Sequence, residues 1–348
     1  MTFPRNRWIL ALLGLPALLF SAVTRVRNRY YDRPASSRSA GLPVIAIGNL
    51  TVGGTGKTPV VQWLCRRLLA EGEQPAVITR GYGGKAGVGP LVVSRGRGPE
   101  IPAERCGDEP YLLAESLEGV RVVAGSDRIA CAREARLMGA TVAVLDDGFQ
   151  HRRLRRDLDI VLLDRQAPLG NGRHLPAGPL REHPSGLRRA GVVLVTRSEE
   201  GDDLSDATTL VRSFNPTAPI VAARHVPDGF ADSTGRSHQA PQSVFGFCGI
   251  ARPESFLRNL ERTGVTVSGF RPFPDHHPFS DRELAELAAA AAGSGASLVT
   301  TRKDLARMSG RNHPALPAIL SLGLDLVIDR PDVLMEAVRG AVSGRKAT

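Results

Sequence analysis

The sequence predicts an α/β protein whose core is a mostly parallel sheet covered by helices. From residue 44 onward, short runs of β-branched and other apolar residues alternate with longer segments of helical periodicity, which is typical of parallel strands joined by helices. The predicted strands are apolar along almost their whole length, so we expect helices on both faces of the sheet. The chain has 348 residues, and single cores stop growing near about 250 to 300 residues. Two domains are therefore expected.

The larger domain is predicted to span residues 40–200. Its strands are expected at 44–47, 76–79, 120–124, 141–145, 160–163 and 192–196, and its helices at 57–70, 109–116 and 126–138. The glycine-rich stretch 81–98 is expected to be a mobile loop.

Residues 201–243 are polar and rich in Pro, Gly, Asp and Ser, which predicts a hinge or linker. A second, smaller α/β domain is expected at 244–348. Its strands are predicted at 244–250, 265–270, 298–301 and 324–328, and its helices at 253–262 and 281–292.

The composition narrows the class of protein. Apolar residues make up 42% and charged residues 23% of the chain, as in folded proteins. The net charge of +10 is carried mainly by arginine and suits a nucleic acid, an anionic membrane surface or a phosphorylated substrate. The four cysteines are far apart, without a CxxC pair, so neither a zinc site nor a disulfide framework is indicated.

The first 30 residues are predicted to form a membrane-interfacial helix. An apolar run from Trp8 to Val23 has arginines on both sides and is shorter than the about 20 residues of a spanning helix. Arginine at both ends suits anionic headgroups. A secretory signal and a buried core helix are the alternatives.

The strongest local signal is a predicted strand that runs into a glycine-rich turn and then a helix. This is the context of a phosphate-binding loop, with glycines that let backbone amides close round phosphate oxygens. Lys57 would reach the outer phosphates of ATP, and Thr58 would hold Mg²⁺. The predicted nucleotide-binding residues are Thr51, Val52, Gly53, Gly54, Thr55, Gly56, Lys57 and Thr58.

This loop departs from two common patterns. Thr51 stands where the standard spacing has glycine, so the loop is the variant that begins with paired glycines. Val52 stands where partitioning ATPases of that variant usually carry a second lysine. A dimerising ATPase of that type is therefore not favoured.

Two further motifs carry carboxylates. An apolar strand ends in Asp146 and Asp147, and such strands present a carboxylate to Mg²⁺ beside the loop; we expect one of the pair near the metal and the other near the substrate. Asp108 opens a helix, so it is either a general base that accepts the proton of an attacking hydroxyl or a helix cap.

In this order, the blocks GNLTVGGTGKTP, RGYGG, GDEP, SDR, DDGFQH, GNGR with LPAGPLRE, FPDHH and TRKD resemble the tetraacyldisaccharide 4'-kinase family, the lipid A 4'-kinases of Gram-negative bacteria. The resemblance implies an ATP- and Mg²⁺-dependent lipid kinase. Such an enzyme phosphorylates the 4'-hydroxyl of an acylated glucosamine disaccharide 1-phosphate to give lipid IVA. It also implies a peripheral place at the cytoplasmic face of the inner membrane, with the lipid and an anionic membrane surface as partners and no nucleic acid or obligate protein partner.

The same resemblance assigns roles to residues of this chain. It implies that Asp108 is the base and that His276 assists it, with Lys57 and Asp147 also catalytic. The implied metal ligands are Thr58, Asp146 and Glu182, and the implied substrate-binding residues are Arg80, Tyr82, Arg128 and Gln150.

The chain also departs from the family pattern. Arg302 replaces the usual glutamate of the late block, and His174 and His183 replace the usual Leu and Pro around LPAGPLRE. The role of residues 301–304 is therefore left open. A GTPase or ATPase switch is the alternative function, and a nucleic-acid-dependent ATPase is disfavoured because aromatics are only 5% of the chain and offer no stacking platform.

Overall fold

The structure of this protein is a computed structural model that describes residues 12–81, 89–308 and 318–346. The helices are α1 (Gly14–Tyr31), α2 (Lys57–Ala70), α3 (Ala103–Cys106), α4 (Asp108–Ser116), α5 (Arg128–Leu137), α6 (Ser205–Arg212), α7 (Pro253–Arg262), α8 (Asp281–Gly293), α9 (Arg302–Met308) and α10 (Pro331–Lys346). The strands are β1 (Val44–Asn49), β2 (Pro75–Thr79), β3 (Leu91–Arg95), β4 (Arg121–Ala124), β5 (Val142–Asp146), β6 (Leu158–Asp164), β7 (Val192–Thr196), β8 (Ile220–Ala231), β9 (Ser237–His238), β10 (Ser243–Cys248), β11 (Thr266–Pro272), β12 (Ser297–Thr301) and β13 (Leu320–Ile328).

The chain forms two compact units. Unit 1 comprises the residues up to Arg224 together with those from Ile328 onward, and unit 2 is His225–Val327. These boundaries differ from the expected ones, because the range 201–243 contains α6 and most of it is not a linker. Helix α10 belongs to unit 1 although it lies at the end of the chain. A prediction that divides the chain into consecutive domains cannot assign the last helix to the first unit.

Unit 1 holds the expected parallel sheet. The strand order is β3-β4-β2-β5-β1-β6-β7-β8, and neighbouring strands are parallel except β3, which runs antiparallel to β4. Strand β3 lies in the stretch that was expected to be a loop, so that expectation was wrong for residues 91–95. The carboxyl ends of β1, β2, β4, β5, β6 and β7 lie at one edge, here called the carboxyl edge of unit 1, where ligands bind in such sheets.

Helices cover both faces of this sheet. On one face Ala46 of β1 packs in a buried cluster with Ile129 and Ala132 of α5. On the other, Val193 of β7 packs in a second cluster with Val211 of α6. The strands are buried along their whole length from β5 to β7, as their continuous apolar character predicted.

Unit 2 contains four neighbouring strands of the sheet and has its own core. The strand order is β11-β10-β12-β13, with parallel neighbours. Phe247 on β10 packs with Leu284 of α8, while Val244 on the same strand packs with Phe256 and Leu260 of α7. The smaller α/β unit expected from the sequence is therefore present.

Helix α1 begins at Gly14 and continues to Tyr31, beyond the end of the apolar run. Pro16 lies in its first turn, where the missing N–H is tolerated. The helix buries Ala17, Ser21 and Thr24. Within the described part of the chain, no helix combines the length and the apolar character that crossing a bilayer requires.

Candidate active site

The phosphate loop, defined as residues 51–58, connects β1 to α2 at the carboxyl edge. Gly53 and Gly56 have φ angles of 114° and 82°, in a region that residues with a Cβ rarely adopt. Helix α2 begins at Lys57. Backbone amides at such a helix start attract anions, so the backbone here suits a polyphosphate.

Lys57 lies among polar groups that hold it at the loop. Its Nζ is 3.3 Å from Oδ1 of Asn49 and 3.5 Å from Oδ1 of Asp147. Asp147 has a φ of 53° and accepts two hydrogen bonds from Arg181, of 2.8 and 2.7 Å. Burial would raise the pKa of Asp147, but the two cations outweigh it and lower that pKa below its ordinary value. This carboxylate is therefore ionised at neutral pH.

Asp146 has a different environment. It ends β5, is 3% exposed, and accepts a hydrogen bond of 3.2 Å from Oγ1 of Thr79. Burial, together with the charges of Glu109 and Asp147 and against that of Lys57, raises its pKa to about 6. The pKa values of the two adjacent carboxylates are thus shifted in opposite directions, which is common where acid–base or metal chemistry takes place.

The segment 175–182, the LPAGPLRE block, lies against the phosphate loop. The amide of Val52 donates to the carbonyl of Pro179 over 2.8 Å, and the amide of Arg181 donates to the carbonyl of Leu50 over 2.8 Å. These backbone bonds place Arg181 where it reaches Asp147. Sequence reasoning missed Arg181 as a site residue, although it lies within a motif that was singled out.

Glu182 is not disposed as the sequence suggested. Its carboxylate is 1% exposed and accepts hydrogen bonds from Asn28 (2.8 Å), Gln150 (2.9 Å) and Arg189 (3.0 and 2.8 Å). Both carboxylate oxygens therefore have protein donors. This arrangement favours a structural connection to α1 over metal binding.

Asp108 is the first residue of α4, and Gly107, with a φ of 92°, occupies the N-cap position. Asp108 thus occupies the first helical position and not the N-cap position, and a carboxylate in the first turn interacts favourably with the helix dipole. The next residue, Glu109, is close enough to raise the pKa of Asp146. Gly81 lies against Cys106, since a Cβ on it would be 3.0 Å from the carbonyl oxygen of Cys106. The GDEP block and Arg80, which precedes Gly81, thus belong to the carboxyl edge.

The expected substrate residues have mixed surroundings. Arg128 is 4% exposed and donates to the carbonyl of Gly125 over 3.0 Å; burial lowers its pKa. Gln150 donates to the carbonyl of Asn49 over 2.9 Å and lies between β1 and Glu182. Tyr82 lies outside the described residues.

His151 was missed, although it ends the DDGFQH block. Burial, together with the cations of Arg128, Arg27 and Arg156, lowers its pKa to about 4. Its Nε2 is buried and has no hydrogen-bond partner in the described chain. A neutral imidazole among three guanidinium groups is an environment that suits an anion.

His276 lies in unit 2. It has a φ of 61°, its backbone N–H donates to the carbonyl of Gly249 over 3.1 Å, and its Nε2 is 3.5 Å from Nζ of Lys303. Asp304 is fully buried and accepts from the amide of Gly249 over 3.0 Å, while Arg307 donates to the carbonyl of the same glycine over 2.9 Å. The late TRKD block therefore holds the end of β10, and through it the backbone of His276.

The side chains of this site offer only a partial set of ligands for Mg²⁺. Across the described ranges, no three His, Cys, Asp or Glu side chains cluster into a ready-made metal site. Mg²⁺ typically binds one or two carboxylates together with substrate phosphates and water, and Asp146 with the hydroxyl of Thr58 provides such a partial set. Near them the hydroxyl of Thr55 is buried without a hydrogen-bond partner, which leaves a donor for a phosphate oxygen.

Three comparisons bear on this site. The family model for tetraacyldisaccharide-1-P 4'-kinase matches residues 7–343. The tetraacyldisaccharide 4'-kinase of Anaeromyxobacter dehalogenans is 44% identical over 347 residues, which cover 95% of this chain and 89% of the relative. The tetraacyldisaccharide 4'-kinase of Geobacter sulfurreducens is 42% identical over 311 residues, or 88% of this chain and 86% of the relative.

A solved structure agrees. The crystal structure of LpxK from Aquifex aeolicus in complex with ATP has a TM-score of 0.78 and 29% identity, and the match covers 96% of this chain and 99% of that one. The family-model match includes residues of both units. By fold, by family model and by sequence identity, the chain belongs to the tetraacyldisaccharide 4'-kinase family.

Proposed function

We propose that the carboxyl edge of unit 1 transfers the γ-phosphoryl group of ATP to the 4'-hydroxyl of tetraacyldisaccharide 1-phosphate, which forms lipid IVA. The observation that carries this proposal is the position of Lys57, between Asn49 and Asp147 at the start of α2. There its ammonium adjoins the loop that cradles the triphosphate and the carboxylates that end β5. Catalysis of phosphoryl transfer rests mainly on such positioning and charge stabilisation.

The loop residues 51–58 would hold the triphosphate, with Lys57 on its outer phosphates. Thr58 and Asp146 would hold Mg²⁺, which when bound neutralises charge on the phosphate oxygens. Arg181 keeps Asp147 ionised and fixed beside Lys57. Asp147 then orients the lysine ammonium, while the charge of Asp146 remains available to the metal. Glu182 is left out of the metal set because its oxygens accept from Asn28, Gln150 and Arg189.

Asp108 is proposed as the base. The oxygen of the 4'-hydroxyl attacks the γ-phosphorus, the bond from that phosphorus to the bridging oxygen of ADP breaks, and the hydroxyl proton passes to the Asp108 carboxylate. The location of α4 beside Asp146 supports this role. His276 is proposed to assist Asp108, as the family resemblance implies.

Helix α1 supports a lipid substrate because its small and polar residues pack on unit 1 and its large apolar residues face outward. The face that packs on unit 1 carries small or polar residues, namely Ala17, Ser21, Thr24 and Asn28. The residues that face outward are large and apolar: Leu15, Leu18, Leu19, Val23 and Val26 are 60 to 71% exposed. An exposed apolar stripe of this kind marks an interaction surface, and arginines at positions 25, 29 and 33 beside it would attract anionic headgroups. We therefore propose peripheral binding to an anionic membrane through α1.

The anion-suited environment of His151 lies next to this helix, since Arg27 of α1 donates to the carbonyl of Gln150. The charges of Arg128, Arg27 and Arg156 all act on the imidazole, and its buried Nε2 lacks a partner in the described chain. We propose that the 1-phosphate of the lipid is recognised here. Arg80 and Gln150 remain proposed contacts to the sugar.

The test is incubation of the full chain with γ-³²P-labelled ATP, Mg²⁺ and tetraacyldisaccharide 1-phosphate in mixed micelles. Label that moves into the lipid fraction supports the kinase, and Lys57→Met should abolish the transfer while the protein stays folded. Release of inorganic phosphate without labelled lipid, by a folded protein, would instead support an ATPase switch and reject the proposal.

A further inference from the structure

Two consecutive residues at the end of β7 hold two consecutive carbonyl groups of the phosphate loop. Thr196 is 1% exposed, and its Oγ1 donates to the carbonyl of Thr55 over 2.9 Å. The guanidinium of Arg197 donates to the carbonyl of Gly54. Neither residue belongs to a motif that the sequence singled out.

These contacts determine how the loop amides point. In a trans peptide the C=O and the following N–H point in opposite directions. The carbonyl of Gly54 shares its peptide group with the N–H of Thr55, and the carbonyl of Thr55 shares its own with the N–H of Gly56. Because both carbonyls are held toward β7, both amides are turned away from it, into the loop. Successive amides turned to one side form an anion-binding concavity.

The guanidinium of Arg197 is itself oriented. It forms an ion pair with Asp164 at the end of β6, and Asp164 is 5% exposed. Arg197 has a φ of 60°, a conformation that non-glycine residues keep only when their surroundings demand it. Three strand ends therefore converge on this contact: β6 through Asp164, β7 through Arg197, and β1 through the loop.

We propose that Thr196 and Arg197, with Asp164 orienting the latter, are positioning residues that set the affinity of the phosphate loop for the triphosphate of the nucleotide. The inference rests on the proposed nucleotide site, and it adds a determinant on the side of the loop opposite Lys57. Its chemical consequence is specific. Affinity is lost through the phosphates, so ATP and GTP are affected by the same factor, and the lipid acceptor is not affected.

The experiment compares Arg197→Met, Arg197→Lys and Thr196→Val with the unmodified chain. Thr196→Val keeps the branched shape and removes only the hydroxyl donor, so we expect the KM for ATP to rise about three- to tenfold. Arg197→Met removes a charged donor and should raise it about tenfold or more. Arg197→Lys keeps the charge but lacks the forked guanidinium that reaches both partners. Its KM for ATP should therefore lie between those of the unmodified chain and Arg197→Met. The kcat at saturating ATP and the KM for the lipid should stay within about threefold, since a positioning effect on the ground-state complex is uniform.

The matched control is Arg165→Met. Arg165 follows the end of β6 and pairs with Asp202 over 2.7 Å. Its loss therefore removes a nearby arginine ion pair without removing a side-chain donor to the loop. We expect its KM for ATP to match that of the unmodified chain. Thermal unfolding of every variant separates a loss of folding from a loss of affinity.

Calorimetric binding of a non-hydrolysable ATP analogue, and of its GTP counterpart, gives a readout that does not need lipid phosphorylation. A common loss of affinity for both analogues in Arg197→Met supports the inference even if the lipid is not phosphorylated. A loss for one base only would assign Arg197 to nucleobase recognition, and unchanged affinity with a lower kcat would assign it to the transition state. Either result overturns the proposal.

Discussion

Nδ2 of Asn28 on α1 donates a hydrogen bond of 2.8 Å to Oε2 of Glu182. The preceding residue, Arg181, holds both carboxylate oxygens of Asp147, which lies 3.5 Å from the ammonium of Lys57. Two adjacent residues therefore connect the apolar helix to the phosphate loop. Through them, the position of the helix is linked mechanically to the carboxylate that orients the lysine.

Glu182→Gln should reveal this connection. The substitution keeps the shape but leaves the buried guanidinium of Arg189 without a charged partner, which should lower the free energy of unfolding by about 2 to 4 kcal/mol. The KM for the lipid should rise because α1 loses its anchor, and the Mg²⁺ concentration for half-maximal activity should stay unchanged. Urea unfolding and a Mg²⁺ titration measure both quantities.

Glu100→Gln provides the control for Glu182→Gln, because Glu100 forms an exposed ion pair with Arg95 that should contribute about 1 kcal/mol or less. If Glu182→Gln shifted the Mg²⁺ requirement and left stability intact, the metal role implied by the sequence resemblance would be restored.

Asp108→Asn should show whether Asp108 acts as the base or only interacts with the helix dipole. As the acceptor of the hydroxyl proton, Asp108 should be worth about a 100- to 10,000-fold change in kcat, while binding of the ATP analogue should hardly change. Glu104→Gln is the matched control, because Glu104 is an exposed carboxylate in the first turn of the neighbouring helix α3, and it should leave kcat within about threefold. Equal losses of kcat and of nucleotide binding in Asp108→Asn would argue for a structural role.

His276 and His277 form a natural matched pair. His276 is half exposed, whereas the ring of His277 stacks on Phe273 at 4.7 Å and its Nε2 is 2.9 Å from Glu283. His276→Ala should lower kcat by about 100-fold if it assists the base, without a change in thermal stability. His277→Ala should instead cost about 1 kcal/mol or more of stability and leave kcat nearly unchanged. The reverse pattern in kinetics and melting would move the catalytic assignment to His277.

Local patterns in the sequence were sufficient for the parallel sheet, for the start of α2 at Lys57 and for the strand that ends in Asp146. They were insufficient wherever a role depends on a partner distant in the chain. Glu182 pairs with Asn28, which lies far toward the amino end, and Arg197 meets the loop only because β7 folds next to β6. The short strand β3 was missed because the glycine-rich sequence around it outweighed its own five residues. Such contacts are properties of the tertiary structure, so no spacing rule along the chain discloses them.

The stability of the protein should depend on the protonation of His151. Its pKa falls from 6.5 to about 4 on folding, so the unfolded chain binds the proton more readily. The neutral ring therefore makes its full contribution to the free energy of unfolding above pH 6.5. As the pH falls through 6.5 toward 4, this free energy decreases by about 3 kcal/mol in all. His151→Gln cannot titrate, so the difference in unfolding free energy between the two proteins should change across this window. If urea unfolding gave the same difference in unfolding free energy between the two proteins at every pH, the expected burial of the ring among arginines would be contradicted.

The outward stripe of α1 should govern binding to lipid vesicles. Leu19 is 60% exposed on this helix, so Leu19→Glu should weaken co-sedimentation with anionic phosphatidylglycerol vesicles, because it removes apolar area and adds a charge that anionic headgroups repel. Leu137→Glu is the matched control, since Leu137 is 82% exposed at the end of α5, away from α1 in the chain. The fold should tolerate both changes, as exposed leucines contribute little to the core. Equal sedimentation of the two variants, with unchanged melting temperatures, would show that α1 is not the surface that meets the membrane.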